Sequence, residues 1–352
     1  MTLVASANGV EVVVAMSGGV DSSVTAALLL EQGYRVTGVT MKLWGGESDS
    51  GCCSVSDVDD ARRVAQQLGI EHHVFNFGDD FAADVIAPYV ADHASGRTPN
   101  PCIECNRHLK FDRLLRRCAA LGIDLVATGH HARVATRPDG SRRVARGVDP
   151  AKDQSYVLHM LDQVQLSRVL FPIGDFTKAQ VREHAARLGL RTAHKPESQD
   201  VCFITSVEGR RGFLRDRLPL TAGRVVDRAG HEVGHVDAVE LVTIGQRKGL
   251  GLPGGTREPR FAMAVDTSTA TVTVGTRADL DTDETRLESF SWADAPHTGR
   301  VLVQASAHGH PEAATLDGRV LRWDAPHRIV APGQSVAFYD GDEVLGGAIA
   351  AG

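Results

Sequence analysis

Residues 11–32 read Glu-Val-Val-Val-Ala-Met-Ser-Gly-Gly-Val-Asp-Ser-Ser-Val-Thr-Ala-Ala-Leu-Leu-Leu-Glu-Gln. Segments of different physical character meet in them. Glu11 to Met16 is a β-branched apolar run, the composition of a buried strand. Ser17-Gly18-Gly19 breaks it, and a helical pattern opens at Asp21-Ser22-Ser23 and continues to about Gln32. Such a junction puts the unsatisfied N–H groups and the positive dipole end of the helix at the turn, where an anion is favoured. Two glycines let the backbone close around phosphate oxygens, and Ser17, Ser22 and Ser23 add hydroxyl donors. No Gly-Lys-Ser/Thr follows and no G-x-G-x-x-G is present, which excludes a Walker loop and a dinucleotide fingerprint. Asp21 beside a polyphosphate suits Mg2+.

Outward from this junction the unit repeats. Arg35 to Leu43 is strand-like, Ser56 is placed to cap a helix through Leu68, and His72 to Phe77 is strand-like before a helical stretch from Asp80 to His93. A further helix over Asn106 to Leu121, just after a C-x-x-C, precedes the strand Asp124 to Thr128. Arg133 to Arg146 then reads as a hairpin turning at Pro138-Asp139-Gly140. Thr177-Lys178-Ala179-Gln180 is a capping box for a last helix reaching Leu188. Strands alternating with helices predict βαβ crossovers and a parallel sheet. From about residue 220 the texture changes to short alternating runs with Gly and Pro between them, such as Arg260 to Val265, Ala270 to Val274, Arg300 to Ala305 and Ser335 to Tyr339. The prediction is an α/β chain of three domains: a parallel-sheet domain over 1–218, a small β-containing middle domain over 219–283 and a C-terminal β-barrel over 284–352.

Composition limits the function classes. At 352 residues, with 42% hydrophobic and 23% charged residues, the chain is long enough for several domains and needs no disulfide staples to build a core. With 38 Lys and Arg against 44 Asp and Glu, its net charge of -6 rules out holding a polyanion by global charge, so a nucleic-acid partner must meet local basic patches. Candidates are the helix face of Arg107, Lys110, Arg113, Arg116 and Arg117, and the stretch Arg210 to Arg217. No apolar run approaches the roughly 18 residues of a membrane span, and the first basic residue is Arg35. We therefore expect no membrane partner and a cytoplasmic location, where the six cysteines are thiols.

Those thiols divide by their surroundings. Cys102 and Cys105 form a C-x-x-C next to the predicted helix start, a position that favours thiolate. Cys202 lies in Lys195-Pro196-Glu197-Ser198-Gln199-Asp200-Val201-Cys202-Phe203, a polar, loop-like stretch. Zinc held by Cys102, Cys105, His108 and one of Cys52, Cys53 or Cys202 is one reading, although no second C-x-x-C completes the signature. Inert burial suits Cys118, and catalytic sulfur chemistry is the reading preferred for Cys105 and Cys202.

The glycine segment resembles the PP-loop of the ATP pyrophosphatases, an adenine nucleotide alpha hydrolase-like fold that cleaves ATP between its α and β phosphates. SGGVDSS at 17–23, GRTPNPCIECNRHLKF at 96–111, ATGHHAR at 127–133, KDQSYVL at 152–158, KPESQDVCF at 195–203 and GQRKGLG at 245–251, in this order, resemble the bacterial tRNA-specific 2-thiouridylase family. The resemblance implies 2-thiolation of the wobble uridine in a tRNA anticodon loop, using ATP with Mg2+ and a protein-borne persulfide delivered by a cysteine desulfurase or a sulfur relay protein. It implies ATP contacts at Ala15, Met16, Ser17, Gly18, Gly19, Val20, Asp21 and Ser22, with Met41, just past the second strand, and Gly129. By the same resemblance Cys202 carries the persulfide and Cys105 is its disulfide partner. Asn100, Pro101 and Cys102 meet the target base, and His130, Lys152, Asp153, Gln154 and Gln334 meet tRNA. Two departures stand out. Some members carry Asp where this chain has Cys102, so no acid–base role passes to it, and around Gln304 to His308 there is no Arg-Tyr pair.

Overall fold

The computed structural model describes residues 9–43, 55–196, 201, 203–204, 209–253 and 258–352. The first sheet is built from β1 (Glu11–Ala15), β2 (Arg35–Lys42), β3 (Glu71–Asn76), β4 (Leu125–Thr128) and β7 (Val169–Leu170), all parallel, in the order β3-β2-β1-β4-β7. β1 is central, and its valines alternate between two cores. Val12 and Val14 face a cluster with Val24, Leu28 and Val181, while Val13 faces one with Phe81, Leu109 and Val126. Each of these buried valines contributes about 1.5–3 kcal/mol by leaving water, which is why an uninterrupted β-branched run belongs at the middle of a sheet covered on both faces. Helix α1 (Val20–Glu31) and helix α2 (Val55–Leu68) follow β1 and β2, as the alternation predicts.

Two longer helical segments cover the other face, over 78–94 and 101–120. The second starts earlier than expected. Asn100 is its N-cap and Pro101 opens its first turn, so Cys102 and Cys105 lie inside the helix rather than ahead of it. Proline at the first helical position loses nothing, because its missing N–H is among those with no intrahelical partner. The hydrogen-bond spacing opens to π geometry over Cys105–Arg113. Thr177 caps the helix Lys178–Arg187 through the reciprocal box with Gln180.

β5 (Ala132–Thr136) and β6 (Arg142–Arg146) form the predicted hairpin, and Glu343 opposite Ala145 joins it to a strand of the last domain. In the middle of the chain β8 (Gly223–Val226), β9 (Glu232–Val236), β10 (Phe261–Asp266) and β11 (Thr271–Gly275) make a four-stranded sheet, order β10-β11-β8-β9, over a core of Val225, Val236, Leu250 and Val272. The C-terminal module is a closed six-stranded barrel: β12 (Asp281–Trp292), β15 (Val320–Arg328), β14 (Glu312–Asp317), β13 (Gly299–Gln304), β16 (Ser335–Asp340) and β17 (Glu343–Ala350), with β17 returning to β12. Tyr339 and Val344 of the barrel share a core with Tyr156 and Val144, so the barrel is packed against the parallel-sheet domain. Among the described residues no helix is long and apolar enough to cross a membrane.

Candidate nucleotide and sulfur-transfer site

Strand order reverses between β1 and β4, and the crevice beyond their carboxyl ends is the switch point where open α/β sheets bind ligands. Both edges of that crevice are loops singled out in the sequence. Beyond Ala15 and Met16, the Ser17 N–H donates to Ser22 Oγ at 3.2 Å, and Ser22 and Ser23 hydroxyls donate to the Gly19 carbonyl at 3.2 and 2.8 Å. Gly19 is the N-cap of α1 and offers no side chain to its first turn, where Val20 is buried. Gly18 has φ of +70°, and a Cβ there would lie 2.3 Å from the Asp57 carbonyl oxygen. From the other edge, Gly129 comes so near α1 that a Cβ would lie 2.7 Å from the Ser22 nitrogen. The loop is thus held open toward the crevice by hydroxyls behind it and by backbone packed on both sides. Met41 lies within β2 rather than past it, and is buried.

The charges in the crevice were not legible in the loop itself. Lys178 Nζ lies 2.6 and 2.8 Å from the two carboxylate oxygens of Asp21, and His131 Nε2 lies 3.2 Å from one of them. Burial alone would raise the Asp21 pKa, but the hydrogen bonds from His131 and Lys178 outweigh it and hold the group below its ordinary value. The Lys178 ammonium binds the Asp21 carboxylate here, and among the described residues no three His, Cys, Asp or Glu side chains converge, so a Mg2+ met by Asp21 would take its other ligands from phosphate and water. On the outer side Lys195 Nζ binds the Gly18 carbonyl at 3.0 Å and both Asp57 and Asp60 at 2.6 Å, riveting the glycine loop to α2. Burial would lower its pKa, but the two carboxylates raise it. A loop without its own lysine therefore has two, supplied by distant segments.

Beside this crevice the expected tRNA-contact residues have divided roles. His130 is buried, shares a 2.6 Å hydrogen bond with Thr128 Oγ1 and packs on Phe111 and Phe171; burial, with Lys110 and His131 nearby, keeps its pKa well below the ordinary value. Gln154 receives the His131 N–H on its side-chain oxygen at 2.9 Å and donates its own N–H to the His131 carbonyl, so it fixes the histidine that holds Asp21. The Asp153 carboxylate accepts from Arg146 at 2.7 Å, from the Gly147 and Ser155 N–H groups and from the Ser155 hydroxyl, and so positions the backbone of this turn. Lys152 adjoins it in the turn.

Cys102 and Cys105 lie in the first turns of the helical segment that opens at Pro101. Asn100 accepts the Cys102 N–H at 3.1 Å, and its side chain also meets the Tyr156 hydroxyl, which donates to the Ser335 carbonyl of the barrel. Pro101 is buried, Cys102 is half-buried and Cys105 is buried against the large apolar cluster. Cys202, like Cys52 and Cys53, lies outside the described residues. Its neighbours Val201, Phe203 and Ile204 pack on the same cluster as Cys105, with Phe203 edge-on to Tyr89 at 5.6 Å. Tyr89 in turn has its pKa raised to about 12 by burial, against the nearby Arg210 and with a further contribution from Cys102. Gln334 donates to the Thr98 carbonyl at 2.8 Å and so docks the barrel onto the loop ahead of Asn100. Cys118 is core, its pKa pushed up to about 11 by burial. His108 of the zinc reading instead faces Glu104 at 3.2 Å.

The two basic patches expected from sequence are largely consumed internally. Arg107 pairs with Glu104, Arg113 with Asp80 and Asp84, and Arg116 with Asp112, while Arg117 lies over the Phe75 ring. Arg210 binds the Leu241 carbonyl, Arg211 pairs with Asp237, Arg215 with Asp216, and Arg217 covers Phe213.

A parallel sheet whose switch point carries a glycine loop, a helix terminus with no side-chain cap and Lys178 beside it defines an α/β phosphate-binding domain, here joined to two β-modules. Family comparison matches the tRNA methyl transferase HUP domain over residues 10–206, the tRNA methyl transferase PRC-barrel domain over 211–276 and the aminomethyltransferase beta-barrel domain over 282–350. The tRNA-specific 2-thiouridylase of Chloroflexus aurantiacus is 47% identical over 96% of this chain and 97% of its own length. That of Roseiflexus castenholzii is 45% identical over 96% and 98%. Among solved structures, the U34-tRNA thiolase from Methanococcus maripaludis overlaps 56% of this chain and 63% of its own, with a TM-score of 0.37 and 19% identity. The chain belongs to the tRNA-specific 2-thiouridylase family.

Proposed function

We propose that the protein is an ATP-dependent tRNA-uridine 2-sulfurtransferase acting on the wobble uridine, with domains at 1–218, 219–283 and 284–352. The observation that carries the reading is the glycine loop at the switch point, in a chain of this family whose next helical segment carries a half-buried Cys102 and a buried Cys105. ATP lies across Ala15 to Ser22, Met41 and Gly129, and Lys178 neutralises charge on the phosphates. Mg2+ accompanies those phosphates, with Asp21 as the protein carboxylate that would meet it. The C2 oxygen of the splayed uridine attacks the α-phosphorus, the bond to the β-phosphate breaks, and pyrophosphate leaves. The uridine oxygen, a poor leaving group, is now part of AMP. The terminal sulfur of a persulfide on Cys202 attacks C2 and AMP departs; Cys105 then attacks Sγ of Cys202, which frees the new C2 sulfur and leaves a Cys105–Cys202 disulfide. A thiol reductant reopens it, and a cysteine desulfurase or sulfur relay protein reloads Cys202.

Asn100, Pro101 and Cys102 line the position of the base, while His130, Lys152, Gln154 and Gln334 shape the tRNA surface around it. The reducing cytosol, where thiols persist, is the compartment this chemistry requires. The test is mass spectrometry of nuclease-digested tRNA after incubation with ATP and a persulfide donor. The wild-type chain should yield 2-thiouridine, and Cys105→Ser and Cys202→Ser should abolish it while still binding ATP. Full activity in either variant overturns the sulfur route, and no 2-thiouridine from the wild type overturns the function.

A further inference from the structure

The segment Gly245 to Gly251 has no part in the chemistry above, yet it is built more tightly than a connecting loop needs to be. The Gly245 N–H donates to the Ala262 carbonyl at 2.8 Å, and the Ala262 N–H returns to the Gln246 carbonyl at 2.9 Å. The Gln246 side chain spans the loop, accepting the Thr243 N–H at 3.1 Å and donating to the Lys248 carbonyl at 2.8 Å. Leu250 anchors it in the core of the middle module. At the crown of this frame Arg247 and Lys248 are exposed, and among the described residues neither makes an ion pair. No acidic residue occurs anywhere from Leu241 to Pro253. Arg107, Arg113, Arg116, Arg211 and Arg215 of the expected basic patches are matched by carboxylates, whereas the two adjacent cations on this braced loop are not.

The loop's root also has an address. Arg210 binds the Leu241 carbonyl at 2.8 Å and Thr243 Oγ1 at 3.4 Å, and the same guanidinium is close enough to Tyr89 and His93 to shift both; Tyr89 likewise senses Cys102. The braced crown therefore rises from the side of the middle module that meets His93, whose ring lies 3.3 Å from the Glu240 carbonyl, and Tyr89 beside Cys102. A protein-binding surface would want an aromatic or aliphatic anchor at its centre. This crown has only glycine, Gln246 and two cations, the equipment for phosphate oxygens. Resting on the tRNA reading above, we propose that Gly245–Gly251 is an RNA phosphate clamp, in which Arg247 and Lys248 hold backbone phosphates of the anticodon arm while the uridine enters beside Cys102.

The test measures tRNA affinity of the full-length protein by fluorescence anisotropy across a KCl series, for the wild type and for R247A/K248A. Two lost phosphate contacts should make the slope of log K against log salt shallower by about 1.4–1.8, at roughly 0.7–0.9 per contact. Affinity at low salt should fall at least about tenfold, with an unchanged melting temperature, and R247K/K248R should restore most of it. A wild type that binds and thiolates tRNA, with a folded double-alanine variant matching its affinity and slope, overturns the clamp alone. A wild type that does not bind tRNA overturns both readings. Unchanged tRNA binding with lost response to the sulfur-donor protein also overturns the clamp, and assigns the loop to a protein partner.

Discussion

Gly129→Ala tests whether the crevice between β1 and β4 is the nucleotide site. The new Cβ would lie 2.7 Å from the Ser22 nitrogen, 2.8 Å from the Asp21 carbonyl carbon and 3.0 Å from Asp21 Cβ, against an ordinary contact of at least 3.4 Å. Backbone on one side or the other must therefore retreat by roughly 0.7 Å, and forcing extra volume into a packed site costs about 1–3 kcal/mol. The atoms displaced are the first-turn N–H groups of α1 and the residue bearing the Asp21 carboxylate. A shift approaching 1 Å in positioning groups costs on the order of 100-fold in rate. The expected outcome is a melting temperature lowered by several degrees, with ATP-dependent turnover reduced by roughly 10- to 100-fold, read by pyrophosphate release with saturating tRNA. Gly223→Ala is the control. Its Cβ would lie 2.2 Å from Val239 Cγ1 and 2.5 Å from the Ala270 carbonyl oxygen, a harder clash, but in the middle module. It should destabilise the protein without raising the KM for ATP. A folded Gly129→Ala protein with wild-type KM and kcat would show that the nucleotide does not lie against this turn.

Lys178→Met should lower ATP turnover on the order of 100-fold and Lys178→Arg should recover part of it; a Lys178→Met enzyme with unaltered kcat would remove the lysine from the phosphate site. Asp153→Ala strands Arg146 and should cost about 3–5 kcal/mol in denaturant unfolding, whereas unchanged stability with weakened tRNA binding would return Asp153 to a direct RNA role. Gln154→Ala frees His131 and should raise the KM for ATP as well as that for tRNA, which a purely RNA-facing glutamine would not do. Acid stability follows from three buried histidines. Burial lowers His93 to about 4 and His159 to about 3, and pushes His130 down as well. Between an unfolded pKa near 6.5 and these values the unfolded chain binds more protons, so stability is full above about pH 6.5 and falls with decreasing pH, by up to about 4 kcal/mol per unit. His93→Gln should remove roughly a third of that slope in pH-dependent urea titrations; an unchanged slope would mean that His93 is not held neutral.

The parts of the fold that were legible in sequence are those written in local signals. The Val12 to Val14 run, the Gly18-Gly19 break, the Thr177 to Gln180 box and the Pro138-Asp139-Gly140 turn each specify their own geometry within a few residues. The start of the helix at Pro101 was written locally too, in Asn100-Pro101, but the cysteines drew the expected boundary past it. The barrel strands were harder. β12 carries five acidic or basic residues before Phe290 and a left-handed Ser289, and β15 contains Pro326, so neither reads as alternating apolar sequence. Their register comes from closing the barrel, where partners are far away in the chain. The same distance hid the site's cations. Lys178 and Lys195 reach Asp21 and Gly18 across 157 and 177 residues, and nothing near either lysine in sequence points to a phosphate loop.

The segment Lys152 to Gln154 is tied by hydrogen bonds to the carboxylate beside the glycine loop. Asp153 locks the turn to Arg146 and Gly147, and Gln154 clamps the backbone of His131 from both directions. His131 in turn holds Asp21, whose other partner is Lys178. Lys178 is itself placed by its N–H bond to Asp149, three residues before Lys152. Both groups on Asp21 are therefore positioned from the turn at 149–154, the place where family resemblance puts tRNA. Side chains at such a motif need not all touch RNA to be required for its modification. Gln154, turned inward, bears through His131 on the carboxylate beside the glycine loop. Displacing that turn alters the carboxylate and the ammonium beside the glycine loop together, because the same hydrogen bonds hold both.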